Sequence, residues 1–206
     1  EASTVNVGGD IVSQLTTANT GLEARNVTLN VAGDISVQSV YARRDSVINA
    51  AGDITGQGML AHTASEGGVV AVENMAGIDR ELRLNAVPKV VFVDKEVASV
   101  GMTREEAERA GMDVVTGTFS LAGNGKSLAM GKNQGFVTVV AAREHHAILG
   151  LHMMGPCASE LVALGTQMIA SELLLEDVEC AIYPHPAVAE AIREACLDAL
   201  GRVVHA

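Results

Sequence analysis

The chain has 206 residues, 48% of them hydrophobic but only 2% aromatic, so its core must be built from aliphatic side chains. A formal charge of -11 repels phosphate backbones and argues against a nucleic-acid partner. No apolar run approaches the ~20 residues that a membrane span needs, and the first residues lack the basic and apolar stretches of a secretory signal.

The cysteines predict a reducing environment. Only three are present, Cys157, Cys180 and Cys196, and no pair has the spacing of a redox motif. An odd, sparse set is not a disulfide framework, and no spacing of His, Cys and carboxylates suggests a metal site. We therefore expect three reduced thiols in a cytoplasmic protein without a bound metal.

The first half of the chain is rich in Val, Gly, Asn, Ser and Thr and predicts short strands. Three similar segments end in a turn signal, at Gly9-Asp10, Gly33-Asp34 and Gly52-Asp53. Their spacing is irregular, whereas a β-solenoid needs a steadier repeat. A β-solenoid surface protein, which would form a rod, stays open as an alternative to the β-rich end of a larger domain.

The pattern changes after Gly58. Small and apolar residues from Met59 to Ala76 predict a buried helix that packs closely through Ala and Gly. The polar stretch from Ile78 to Pro88 predicts a boundary between a domain at 1–80 and one at 86–206.

Strands and helices alternate in the second domain. A short buried strand is predicted at Val90–Val93. Thr103 and Glu106 form a capping box for a short helix that Gly111 stops. Three strand candidates follow, the last two joined as an antiparallel hairpin, and then two helices. These elements are predicted at 114–120, 135–142, 147–154, 159–174 and 186–200. This order is typical of an α+β domain in which helices flank an antiparallel sheet.

Histidine and glutamate near the last helix form the sharpest constellation. Pro184 and Pro186 stiffen the chain around His185, and a proton-transfer group needs such a rigid platform. If Glu190 folds back, its carboxylate can hold the imidazole Nδ1 and stabilise the imidazolium. From residue types alone, an exposed loop histidine and an unrelated helix acid remain the alternative. His145 and His146 are predicted to be solvated in a turn, and His152 to be packed in the core.

A second constellation places the acid Asp53 after Gly52 in a turn, followed by Met59–His62. This is a strand, a turn acid and a helix amino terminus, where free N–H groups favour an electron-rich ligand atom. A plain turn and helix start is the alternative.

Several motifs in order resemble the pyridine nucleotide–disulfide oxidoreductases, most of all the dihydrolipoamide dehydrogenases. The resemblance covers about residues 20–206 and is strongest from 50 onward. It is carried by the two constellations and by Val87–Gly101, Gly135-Phe136-Val137, Ile148-Leu149-Gly150, Gly155-Pro156, Glu160-Leu161 and Ala191–Ala195. It implies the β-rich end of a flavin-binding domain at 1–80 and a dimerisation (interface) domain at 86–206.

The resemblance also implies roles for single residues. His185 would be the acid/base of the disulfide–dithiol step and Glu190 would orient it, acting across a dimer on the flavin and redox disulfide of the other subunit. Asp53, after Gly52, would bind the ribityl chain of FAD. Met59, Leu60, Ala61 and His62 would meet the flavin pyrimidine edge, and Gly8 would lie near NAD. Residues 1–20 match poorly, and Thr138 stands where the family commonly has Lys.

The implied activity is NAD-dependent oxidation of dihydrolipoyl groups. A homodimer and the lipoyl-bearing component of a 2-oxoacid dehydrogenase-type complex are the implied partners. The chain contains no Gly-x-Gly-x-x-Gly loop and no redox Cys pair, so we expect it to be inactive alone. A related FAD-dependent disulfide reductase and a non-catalytic dimerisation module remain alternatives.

Overall fold

The protein divides into two compact units, Glu1–Leu84 and Asn85–Ala206. The division falls within the polar segment that predicts a boundary. The structure is a computed structural model that describes residues 60–204 throughout and, before them, the backbone of seven strands within 3–50. Among these residues no helix is both long and apolar enough to cross a membrane.

The seven strands of the first unit pair in parallel. Strand β4 lies between β1 and β7, β2 pairs with β5, and β3 pairs with β6. Ser3 lies opposite Val27, and Thr28 opposite Val47, so the strands that precede the three Gly-Asp signals in the sequence pair with one another. This parallel pairing is what the solenoid alternative predicts for these strands. Their bounds are β1 Ser3–Val7, β2 Ile11–Val12, β3 Gly21–Arg25, β4 Val27–Val31, β5 Ile35–Ser36, β6 Ser39–Arg43 and β7 Val47–Ala50.

Helix α1, Ala61–Met75, follows at nearly its predicted position. Only Thr63 and Val70 are buried on it, seven residues apart and therefore on one face. A Cβ added at Gly68 would meet nothing within 4 Å. The prediction of a buried helix packed through Ala and Gly is thus wrong, because only one stripe of the helix is buried.

The second unit is built on a five-stranded antiparallel sheet of order β10-β11-β12-β9-β8. The predicted hairpin of β11 and β12 is confirmed, whereas β9 is an addition. Strand β8 is an edge strand, and Phe92 just beyond it is 78% exposed, so the prediction of a buried strand there is wrong. The bounds are β8 Lys89–Val91, β9 Val97–Gly101, β10 Val114–Ser120, β11 Phe136–Ala142 and β12 Ile148–Met154.

Five helices complete this unit, and the aliphatic core lies where the sheet packs against α4 and α6. Val137, Leu151 and Ile192 are fully buried there. The α+β prediction is therefore confirmed. The helices are α2 Arg104–Arg109, α3 Gly125–Ala129, α4 Ala158–Ala170, α5 Leu175–Cys180 and α6 Glu190–Ala199.

Local signals predicted α2 well and the later helices less well. Thr103 and Glu106 make both bonds of the capping box, and Gly111 has a φ of 80° after the helix. The helix predicted over 159–174 ends at Ala170, because the chain turns at Glu172 with a φ of 54°, and helix α5, which begins at Leu175, is an addition.

Candidate functional site

The structure brings His185 and Glu190 together. Nδ1 of His185 lies 2.8 Å from Oε1 of Glu190. A carboxylate can only accept, so Nδ1 carries the hydrogen, and Nε2 of the neutral ring is left as the acceptor. The His185 side chain is 79% exposed, whereas that of Glu190 is 27% exposed. The imidazole is therefore held on one edge and presented to solvent on the other.

Glu190 also fixes the chain that carries the histidine. Its second oxygen, Oε2, accepts a hydrogen bond of 2.8 Å from the backbone N–H of Ala187. The sequence predicted that the last helix begins at Pro186. Helix α6 consequently begins later, at Glu190. Val188 and Ala189 form a turn before α6, and their carbonyls accept hydrogen bonds from the N–H groups of Ala191 and Ile192. The His185–Pro186 peptide bond is cis.

Asn124 contacts the same segment from a distant part of the chain, and sequence reasoning missed it. Its Nδ2 donates to the carbonyl of Ala187 at 2.9 Å. Its Oδ1 accepts from the backbone N–H and the hydroxyl of Ser127, each at 2.9 Å. The Asn124-Gly125 pair could have indicated the N-cap of a helix. No sequence signal indicated the hydrogen bond from Asn124 to Ala187.

The predicted flavin contacts are only partly within the described residues. Gly8, Gly52, Asp53 and Met59 lie outside them. Leu60 is the N-cap of α1, with no side-chain cap, and no acid lies in the first turn, which includes Ala61 and His62.

A buried hydroxyl in the same turn adds to this picture. Among the residues that the structure describes, Oγ1 of Thr63, a residue 2% exposed, has no hydrogen-bond partner. A helix start without a side-chain cap at Leu60 and the buried hydroxyl of Thr63 fit an electron-rich ligand atom such as those on a flavin edge.

Two of the remaining histidines differ from their predictions. His145 is exposed, as predicted, but His146 is half-buried and lies 2.5 Å from Oε1 of Glu176. His152 is only partly buried, and its Nε2 lies 3.0 Å from the carbonyl of Met102. In the part of the chain that the structure describes, no group of three metal-ligating side chains occurs.

Comparison with known proteins gives one family match. The model of the pyridine nucleotide-disulphide oxidoreductase dimerisation domain matches residues 87–196. This stretch is more than half of the chain and contains the sheet, Asn124, His185 and Glu190.

Curated relatives extend the similarity into the first unit. Dihydrolipoyl dehydrogenase of Haloferax volcanii is 40% identical over 190 residues, covering 91% of this chain and 38% of that protein. Dihydrolipoyl dehydrogenase of Rhizobium etli is 37% identical over 213 residues, covering 99% of this chain and 41% of the relative. The chain spans about two fifths of these relatives. Because an alignment covering 99% includes nearly all of residues 1–59, the similarity to these enzymes favours the flavoprotein interpretation of the first unit over a solenoid.

Solved structures agree with the fold. LpdA from Mycobacterium tuberculosis matches with a TM-score of 0.68 and 26% identity, over 75% of this chain and 34% of that one. The HOCl-induced flavoprotein disulfide reductase RclA from Escherichia coli matches with a TM-score of 0.66 and 21% identity, over 72% and 34%, a likeness of fold alone. Given the sheet, the His185–Glu190 pair and the matched family model, the chain belongs to the pyridine nucleotide-disulphide oxidoreductase family and contains its dimerisation domain.

Proposed function

We propose that the chain is the carboxyl-terminal part of a flavoprotein disulfide oxidoreductase that oxidises dihydrolipoyl groups with NAD. The observation that carries the proposal is the 2.8 Å bond between His185 and Glu190 at the edge of a family dimerisation domain. The names of the relatives at 37–40% identity support the choice of substrate.

In this proposal His185 is the acid/base. Its Nε2 takes the proton from a dihydrolipoyl thiol, and the resulting thiolate attacks a redox disulfide supplied by the rest of the protein. Glu190 stabilises the imidazolium through Nδ1 and keeps the ring in one orientation. This attack breaks the S–S bond of the redox disulfide, forms a mixed disulfide and releases one cysteine as a thiolate. The second substrate thiol then attacks the substrate sulfur of the mixed disulfide, forms the lipoyl S–S bond and displaces the other cysteine, which takes the proton of that thiol. The redox pair is thereby reduced by two electrons.

FAD and NAD are the proposed cofactors. FAD, when bound, would carry the two electrons from the reduced Cys pair to NAD. In the chain itself, Leu60, Ala61 and His62 would offer backbone groups at the start of α1. Roles for Gly8 at NAD and for Gly52, Asp53 and Met59 at FAD stay predictions.

We further propose a homodimer in which His185 acts across the interface. Large apolar side chains are exposed on the second unit at Val91, Phe92, Val93 and Ile182. Their exposure supports an interface, which for an obligate dimer would bury on the order of 2,000 Å² or more. Light scattering that finds only monomer at micromolar concentration would count against it.

The proposed partner is the lipoyl-bearing component of a 2-oxoacid dehydrogenase-type complex, because a dihydrolipoyl group is presented on such a component. A cytoplasmic location, predicted from the three cysteines, stays a prediction. A non-catalytic dimerisation module is the main rival.

A substrate assay on the longest reading frame that contains this chain tests the proposal. We expect a yellow protein that reduces NAD with dihydrolipoamide and that oxidises NADH much more slowly when glutathione disulfide is the acceptor than when lipoamide is. A flavoprotein that prefers another disulfide would refute the substrate, and a protein without flavin or turnover would favour the dimerisation module. The isolated chain should purify without stoichiometric FAD.

A further inference from the structure

The buried amide of Asn124 has a fixed orientation. The residue is 4% exposed and lies between β10 and α3. Two donors from Ser127 point at its Oδ1, and one carbonyl, that of Ala187, faces its Nδ2. A flipped amide would oppose donors to donors and oxygen to oxygen, so only one orientation satisfies all three partners.

Hydrogen bonds connect this amide to the imidazole without a gap. Asn124 holds the carbonyl of Ala187, the N–H of Ala187 is held by Oε2 of Glu190, and Oε1 of Glu190 holds Nδ1 of His185. Both the N–H and the carbonyl of Ala187 are therefore held by hydrogen bonds. The chain after His185 is anchored to the loop after β10, 63 residues away.

We propose that Asn124 is a positioning residue for His185, acting through Ala187 and Glu190. The proposal rests on the proposed function, in which His185 is the acid/base. Asn124 itself touches neither substrate nor cofactor. Removing its N–H donor would leave the partly buried carbonyl of Ala187 unsatisfied, and the segment would move to find another partner. The carboxylate of Glu190 would then no longer hold the imidazole of His185 in a single position and orientation.

The capping of α3 and the positioning of His185 use opposite ends of the amide, so mutation can separate them. Asn124→Asp keeps an acceptor for Ser127 but replaces the donor to Ala187 by an oxygen. Asn124→Ser also keeps an acceptor, carries no charge and is too short to reach Ala187. Ser127→Ala is the matched control, because it removes a bond on the capping side and leaves the Nδ2 bond in place.

The first measurement uses the 206-residue chain and needs no cofactor. The ¹⁵N chemical shifts of the His185 ring report which nitrogen carries the hydrogen in the neutral form. We expect one tautomer, with the hydrogen on Nδ1, in the unsubstituted chain and in Ser127→Ala. A mixture is expected in Asn124→Asp and Asn124→Ser. A single Nδ1–H tautomer in both Asn124 variants would overturn the proposal.

The second measurement uses the flavoprotein that contains the chain. Asn124→Asp and Asn124→Ser should lower the kcat for dihydrolipoamide by about 10- to 100-fold, the usual effect of a misplaced catalytic group. Electron transfer from NADH to an artificial acceptor should stay at the unsubstituted rate, which damage to folding would not allow. Equal losses in both reactions, or the same loss in Ser127→Ala, would show a structural role only.

Failure of the two proposals is distinguishable. If His185→Gln keeps dihydrolipoamide turnover, the proposed function is wrong, yet the tautomer measurement still decides whether Asn124 orders the ring. If His185→Gln loses turnover while both Asn124 variants retain it, the acid/base stands and the positioning role is refuted.

Discussion

Nδ1 of His146 lies 2.5 Å from Oε1 of Glu176 and ties the turn between β11 and β12 to helix α5. The backbone reinforces this contact, since the N–H of Leu175 bonds to the carbonyl of His146. Chiefly because of the hydrogen bond from His146, the pKa of Glu176 is lowered from its ordinary value of 4.5. The stability of this contact, which joins residues 30 positions apart, therefore depends on pH.

This linkage predicts acid sensitivity. A carboxylate whose folded pKa is lowered stabilises the fold above its unfolded pKa and loses that effect as pH falls through the folded value. The free energy of unfolding should therefore fall as pH drops below about 4.5, and less steeply in Glu176→Gln. Urea denaturation between pH 3 and 7 measures the slope. Glu144→Gln, at the exposed tip of the same turn, is the charge-matched control. Identical slopes in Glu176→Gln and the unsubstituted chain would contradict the linkage.

A glycine in β10 sets how closely α6 packs on the sheet. A Cβ at Gly117 would meet the backbone of Ala195 and Ala199. Backbone cannot move aside as a side chain can, so Gly117→Ala should destabilise the second unit by about 3 kcal/mol or more. Gly125→Ala is the control, because a Cβ there meets nothing within 4 Å. Thermal unfolding of both variants decides this, and similar Tm values would show that α6 has room to shift.

The three thiols should differ in reactivity. Burial raises the pKa of the Cys196 thiol to about 12, whereas Cys157 and Cys180 are exposed. Because the thiolate is the reactive species, Ellman's reagent at pH 8 should titrate two thiols quickly and the third only after denaturation. Cys196→Ala should leave the fast count at two. Three equally fast thiols would mean that α6 opens readily.

Local signals explain which parts of the fold could be predicted. The capping box needs only Thr103 and Glu106, three residues apart, and the strands near 114–154 need only alternating or continuous apolar runs. The exposure of β8 could not be predicted, because it depends on the position of this strand at the edge of the sheet. Likewise, the start of α6 is set by the bond from Ala187 to Glu190, which a favoured proline at the first helical position does not reveal.

The candidate site shows the same division between local and distant contacts. His185 and Glu190 are five residues apart, so stiffening prolines and a nearby helix were enough to pair them. Asn124 meets Ala187 across 63 residues, and Glu176 meets His146 across 30, and nothing in either local sequence indicates these contacts. The predicted contacts of Gly8, Gly52 and Asp53 lie outside the described residues and stay predictions.

Glu190 is expected to matter less than the residue it orients. Glu190→Gln has one acceptor oxygen where the carboxylate has two, so it can keep only one of the bonds from Nδ1 of His185 and the N–H of Ala187, and it loses the charge that stabilises the imidazolium. Dihydrolipoamide turnover should nevertheless fall less than in His185→Gln, because the imidazole that takes the proton is still present. The double variant should be no worse than His185→Gln alone, because the pair acts as one unit. Additive losses in kcat/KM would show that the two side chains act independently.

The most direct test of the acid/base assignment measures two reactions on the same preparation of the His185→Gln flavoprotein. Oxidation of dihydrolipoamide should slow by roughly 100- to 10,000-fold, the usual contribution of a general base. Electron transfer from NADH to an artificial acceptor should stay near the unsubstituted rate, since it bypasses the disulfide. Dihydrolipoamide oxidation at a near-unsubstituted rate would instead show that His185 is a structural loop residue.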